Sequence, residues 1–240
     1  MNKLRLNIFT LFGSALFGVT AFYIVVLASN SLMLDSDYSG VKFYSRTVQS
    51  GEPRTRKDVV KLSTISNEIA SENVCRSDIL KAGLVLVLSR IEVNLAPQDY
   101  DSWLEAVSNA NGYIAHAIRC IPTDGNLWLR MAMVTRAGAE DPERIAELMT
   151  RSQSLAPAEI SVVMDRIRFY NSLGASTLEK TSLVVQKDIA ISLQQEPKLL
   201  REVLDKPSKA LTPYLRAAIR EADFVCRTDW PPCQNAESKL

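Results

Sequence analysis

The sequence predicts an all-α protein: a single N-terminal transmembrane helix followed by a domain of helical hairpins. Three observations carry this. Ile8 to Leu34 contains no charged residue, and glycine is scarce, at 9 of 240 residues. From Lys57 onward, apolar side chains recur near helical spacing between well-separated prolines. Long runs of Ala, Leu, Glu, Arg and Lys favour helices over a sheet with many turns.

The first element covers residues 8–28. Its 21 mainly apolar residues, at about 1.5 Å rise each, extend roughly 30 Å, the thickness of a bilayer's hydrocarbon core. Lys3 and Arg5 precede it, while Asp35 and Asp37 follow. The bias of basic residues toward the inside places residues 1–7 in the cytoplasm and exports everything beyond the span. A cleavable signal peptide is the alternative, because Val26-Leu27-Ala28 before Ser29 is an acceptable cleavage site. Signal cores, however, are about 7 to 15 residues long, shorter than this stretch. Both readings send the body of the chain to the same side. Ser14 and Gly18, four residues apart, would allow two such helices to pack closely, so a homo-oligomer is one reading.

Composition narrows the rest. With 28 basic and 27 acidic residues the net charge is +1, so no global field draws in nucleic acid. A hydrophobic fraction of 47% and a charged fraction of 23% are those of an ordinary folded protein. The four cysteines, Cys75, Cys120, Cys226 and Cys233, are an even number in an exported chain, which points to two disulfides. Metal binding is the competing use, but a lone C-x6-C with one histidine in the chain is a poor zinc pattern. Neither a metal nor a cofactor is expected.

Residues 29–56 read as a juxtamembrane linker, punctuated by Gly, Ser and Pro without a sustained apolar period. Its end is basic, with Arg54 and Arg56 followed by Lys57 and Lys61, a set that reads as a solvated face. The helical domain then spans 57–225. A short amphipathic helix over 57–71 carries Val59, Val60, Leu62, Ile65 and Ile69. Ser77 to Leu95 and Asp99 to Cys120 form an antiparallel pair hinged at Ala96-Pro97. Cys75 lies 22 residues before Pro97 and Cys120 lies 23 after it, so the hairpin brings the two sulfurs to one end. Closing a loop of that length contributes about 4 kcal/mol by loop entropy. Helices follow over Asn126 to Arg136, Pro142 to Ser154 and Glu159 to Leu173. Pro142 suits a first helical turn. Beyond them, shorter helices are expected over 177–193, 197–204 and 207–223, kept short by Pro197, Pro207 and Pro213. The tail, 226–240, reads as a loop closed by Cys226 and Cys233 around Trp230.

Pro122 and Pro157 are 35 residues apart, close to the 34-residue period of helix-turn-helix repeats. With these as closing prolines, Trp128 falls on the large aromatic position, Ala132 and Ser152 on small positions, and Tyr170 on the aromatic of the next first helix. In this stretch of about 50 residues the chain resembles the tetratricopeptide-repeat family. Thr135, Ile145, Arg166 and Ile167 depart from its pattern, and a plain helical bundle is the competing architecture. The resemblance implies an α-solenoid-like domain whose first helices present the partner-binding face. The matched positions are Asn126, Leu129, Met133 and Arg136, then Ser161, Met164, Arg168 and Asn171. Arg forks pair with carboxylates and Met adapts to irregular apolar surfaces, so the face suits a protein or peptide partner.

Catalytic signals are thin. His116 is the only histidine, within the second helix of the hairpin. No G-x-S-x-G elbow, phosphate loop, dinucleotide fingerprint or H-E-x-x-H occurs. Glu143 and Glu147 lie one turn apart, a generic spacing on an exposed helix. The expectation is therefore no catalysis. The chain reads as a bacterial inner-membrane protein whose periplasmic helical-repeat domain is an adaptor in an envelope assembly, with polysaccharide synthesis or export or cytochrome maturation as settings of similar layout. The lack of a haem-attachment motif weighs against the last. The alternatives are an anchored or secreted enzyme acting on wall glycans through carboxylates, and a dimeric spacer.

Overall fold

The computed structural model describes residues 2–51, 56–93 and 99–221. Cys226, Trp230, Cys233 and the Pro97 hinge lie outside them. The described residues form twelve α-helices and no strand. The expected all-helical class is what is found.

Helix α1 (Asn2–Asp37) runs unbroken for 36 residues, about 54 Å. Within it, Leu16–Asp37 is long and apolar enough to cross a membrane, and none of it is buried in the protein. Residues 29–56, expected as a linker, are instead largely helical. Helix α1 continues to Asp37 and α2 (Ser39–Gln49) begins after one residue. The ladder passes through the joint, since the Tyr38 N–H donates to Leu34 O and the Lys42 N–H to Tyr38 O. The buried stripe of α2 is Val41 and Ser45, and a serine in the second position hides the apolar period from the sequence. Tyr38, 4% exposed, donates its hydroxyl to Glu72 Oε2 at 2.6 Å and so ties the joint to the end of α3 (Arg56–Ser71).

Two residues past the end of α3, Asn73 lies in the left-handed region (φ 53°). The Asn73 N–H donates to Ala70 O and the Val74 N–H to Ile69 O. This paired closure satisfies two carbonyls at the helix end, and Ile69 and Val74 are both buried in the core. It also delivers Cys75 and Arg76 to the start of α4 (Ser77–Val93). Helix α4 packs on α2, on α3 and on α5 (Tyr100–Cys120). At Gly83 any Cβ would collide with the Tyr113 hydroxyl, which donates to Leu80 O at 2.9 Å. The α4–α5 hairpin is thus held by this contact-tight crossing and, about two turns further toward the same end, by the Cys75–Cys120 disulfide expected from its spacing.

The chain continues through α6 (Gly125–Gly138), α7 (Pro142–Leu155), α8 (Ile160–Tyr170), α9 (Ala175–Lys180), α10 (Ser182–Gln195), α11 (Pro197–Val203) and α12 (Thr212–Glu221). Asp124 and Asp141 cap α6 and α7, accepting from Asn126 N and Arg144 N at 3.0 Å each. Helix α6 packs on α7 and α8, α7 on α9, and α8 and α12 on α10. A Cβ on Gly125 would meet Ala156 Cβ at 2.7 Å and Ser152 O at 2.8 Å, so only glycine lets α6 start against the end of α7. The expected helix over 177–193 is two helices. Thr181, 1% exposed, turns its hydroxyl back onto Thr177 O and Leu178 O, and the chain turns there. The expected helix over 207–223 begins only at Thr212.

The departure at Arg166 has a physical reason. Arg166 and Asp188 are both fully buried, and the guanidinium meets the carboxylate with two 2.7 Å bonds between α8 and α10. The remaining N–H groups of Arg166 donate to Ala156 O at 3.2 Å and to Ser152 Oγ at 3.3 Å, and the Tyr170 hydroxyl donates to Asp188 Oδ2 at 2.7 Å. One cation thus joins α8, α10 and the end of α7. Asp188→Ala leaves Arg166 charged and unpaired in the core and is expected to cost about 3–5 kcal/mol in denaturant unfolding, whereas replacing Arg166 by Met together with Asp188 by Leu recovers most of that loss.

Candidate functional site

Three features at the surface of this scaffold bear on function: the junction with α1, the disulfide beside it, and a groove between α4 and α6. The junction is built from four charges. Lys42 lies 2.5 Å from Asp35 and 2.9 Å from Asp78. Arg76 pairs with both carboxylates, at 2.8 Å from Asp78, and its Nη1 donates to Ser31 O of α1 at 3.2 Å. The Arg76 guanidinium and then the Lys42 ammonium hold the Asp78 carboxyl well below the usual carboxylate range. These side chains are about a quarter to half exposed, so each pair adds little stability. Their effect is directional: they set the end of α1 against α2 and the first turn of α4.

The disulfide sits at this same end. Cys75 and Cys120 have Cα atoms 5.2 Å apart, Cys75 exposed and Cys120 half-buried. His116, 3% exposed, places Nε2 3.0 Å from Val74 O and 3.6 Å from Cys120 Sγ. The two sulfurs and a ring nitrogen lie within 4.8 Å of one another, the one such trio of ligand types among the described residues. With the sulfurs joined to each other, the trio is not a metal centre.

The groove has a volume of about 640 Å³. Leu84, Val85 and Leu88 of α4 form one side, and Thr123 to Asn126 with Arg130 form the other. Leu155 and Val48 add apolar surface, and Lys81 bridges the mouth to Asp124 at 3.0 Å. Arg130 is held by Asp165 at 2.8 Å. The Asn126 side-chain oxygen is shielded from water and accepts no hydrogen bond from the described residues. The lining is mixed, with Gln49, Ser89, Glu92 and Glu159 joining Lys81, Asp124 and Arg130 among the apolar side chains.

The expected partner-binding residues separate into groups. Leu129 (0% exposed) and Met164 (2%) are core residues, so burial removes them from any contact face. Arg136 donates to Ser172 O, and Asn171 is spent on Lys206 O and the Ser208 N–H, so both tie helix ends together inside the domain. Met133 is half-buried against the core, while Ser161 is exposed and Arg168 is paired with Asp165 at 2.7 Å. Of the set, only Asn126 lines the groove. The residues that sequence reasoning missed, Lys81, Leu84 and Leu88, lie on the α4 face turned toward α6; helical spacing from Leu84 to Leu88 was the available signal. Trp128 does not enter the groove. Its Nε1–H donates to Pro122 O at 3.0 Å, and the Arg151 guanidinium lies 6.0 Å over its ring.

No protein-family model, curated protein or solved structure matches this chain. What stands is an all-helical chain with one disulfide among the described residues and one apolar N-terminal helix compatible with a membrane anchor or a signal sequence.

The depressed Asp78 carboxyl contributes to the junction above its unfolded value, near pH ~4, and that contribution is lost as pH falls through the lower folded value. Spin labels at Ser36 on α1 and Arg119 on α5 are therefore expected to hold one distance at neutral pH and to spread only as the pH falls well below ~4, toward the lower folded value. Asp78→Asn is expected to give the spread distribution already at neutral pH.

Proposed function

We propose that this protein is a membrane-anchored, periplasmic adaptor, a tetratricopeptide-like helical domain that receives an extended segment of a protein partner in a bacterial envelope assembly, with polysaccharide synthesis or export as the favoured setting. The observation that carries the reading is the groove between α4 and α6, lined by both apolar and polar side chains, on a domain joined to an uncovered apolar helix. Contacts between every second helix, α6 with α8, α7 with α9 and α8 with α10, support the repeat-like layout. A disulfide within the domain suits an oxidising compartment.

Carboxylate-based glycan chemistry has less support. A general acid must hold its proton near neutral pH, yet Asp78 and Glu140 are both held ionised. For Glu140, burial pushes the carboxyl up, but hydrogen bonds from Thr177 and the Gly174 N–H and the charge of Arg136 outweigh it. Its role is to cap the start of α9 from the loop between α6 and α7.

Two measurements test the proposal separately. Alkaline phosphatase fused after Leu240 is expected to be active in intact cells, and an inactive fusion with an active cytoplasmic reporter contradicts export. A photo-crosslinking residue at Leu88 or Asn126 is expected to capture one and the same protein, whereas the same residue at Leu183, 73% exposed on α10, is not. Crosslinks of equal yield at all three positions, or none at the groove, contradict the adaptor.

A further inference from the structure

The two ends of the Cys75–Cys120 bond are chemically unequal. Cys75 is exposed between α3 and α4, and Cys120 is half-buried in the last turn of α5. Of the two, Cys75 is the residue more open to a thiolate arriving from solvent. Beside the second lies an N–H group. Nε2 of His116 is 3.0 Å from Val74 O, and a carbonyl oxygen can only accept, so this nitrogen carries the ring proton. The other acceptor within reach of that N–H is Cys120 Sγ at 3.6 Å. The arrangement does not suit a metal, because the nitrogen nearest the sulfurs is protonated and turned to a carbonyl. It does suit negative charge appearing on Cys120.

We propose that Cys75–Cys120 is a site of thiol–disulfide exchange with a dithiol protein, attacked at Cys75 and leaving at Cys120. The donor's thiolate bonds to Cys75 Sγ, the S–S bond breaks, and its electron pair remains on Cys120 Sγ beside the His116 N–H. The donor's second thiol, its proton passed to solvent, then attacks the donor sulfur of the mixed disulfide and expels Cys75 as a thiolate. Two electrons move from donor to this protein, the donor becomes a disulfide, and the two cysteines take up two protons. Exchange is faster when the leaving sulfur is better stabilised, and a neighbouring donor favours the thiolate. Arg76, next in sequence to the attacked sulfur, reaches Ser31 and Asp35 of α1, so exchange takes place at the end of the domain nearest that helix. This assignment does not depend on the adaptor reading.

Glutathione serves as a monothiol probe on the full-length protein in detergent. After acid quench, N-ethylmaleimide labelling and digestion, glutathione is expected on Cys75 and maleimide on Cys120, about tenfold or more over the reverse, while the far-ultraviolet circular dichroism is unchanged. Equal or reversed labelling overturns the assignment, as does reaction that begins only when urea unfolds the protein. For His116, His116→Gln keeps an N–H for Val74 and is expected to retain most of the exchange rate, while His116→Leu slows it about tenfold. Equal rates for all three proteins overturn the role given to His116, and the labelling pattern of the unaltered protein decides the polarity even where the Leu variant fails to fold.

Discussion

An apolar helix that its own domain leaves uncovered must be covered by something else, and the rest of this structure follows from that constraint. Phe17 and Phe22 are 76% and 72% exposed, and along Leu16–Asp37 nothing is buried in the protein. At roughly 25 cal/mol for each Å² of apolar surface, leaving such a helix in water costs far more than a small domain's net stability. A membrane anchor and a signal sequence are both compatible with such a helix. The charges Asp35, Lys42, Arg76 and Asp78 gather where α1 meets the domain. They hold the domain in one attitude at the point where an otherwise free helix enters it.

Beyond the junction the domain relies on close approaches and a few polar ties. Gly83 and Gly125 admit a hydroxyl and a helix end where any side chain would collide. The Arg166–Asp188 pair joins three helices at once, and its near-complete set of hydrogen bonds offsets the cost of taking both charges out of water. Asn171 and Glu140 tie loops and helix starts to neighbouring helices by hydrogen bonds alone. Such a scaffold keeps the groove between α4 and α6 open while both of its walls stay fixed.

Much of the fold was legible because its signals were local. The prolines, the Asp124 and Asp141 caps and the 3.6-residue stripes place most helices of the middle of the chain, and symmetric spacing about Pro97 pairs Cys75 with Cys120. What was hidden depends on tertiary partners. Helix α2 escaped because Ser45 occupies its buried stripe and because Glu72, distant in sequence, holds Tyr38. The break at Thr181 comes from a buried hydroxyl bonded backward, which no period reveals. The site was less legible than the fold. Matching to a repeat pattern selects one helix face, but Leu129 and Met164 are buried by neighbours whose positions the pattern does not contain. Asn126 lies where that face turns toward the α4 wall, and the wall itself comes from a different hairpin.

The most direct measurement is a non-reducing peptide map of the full-length protein taken from alkali-washed membranes. Retention of α1 in lipid and export of the domain require two peptides in one preparation: an N-terminal fragment that still contains residues 8–28, and a Cys75–Cys120 cross-linked pair. A protein released by alkali that begins at Ser29, or one that stays with the membrane while both sulfurs are free thiols, contradicts the account.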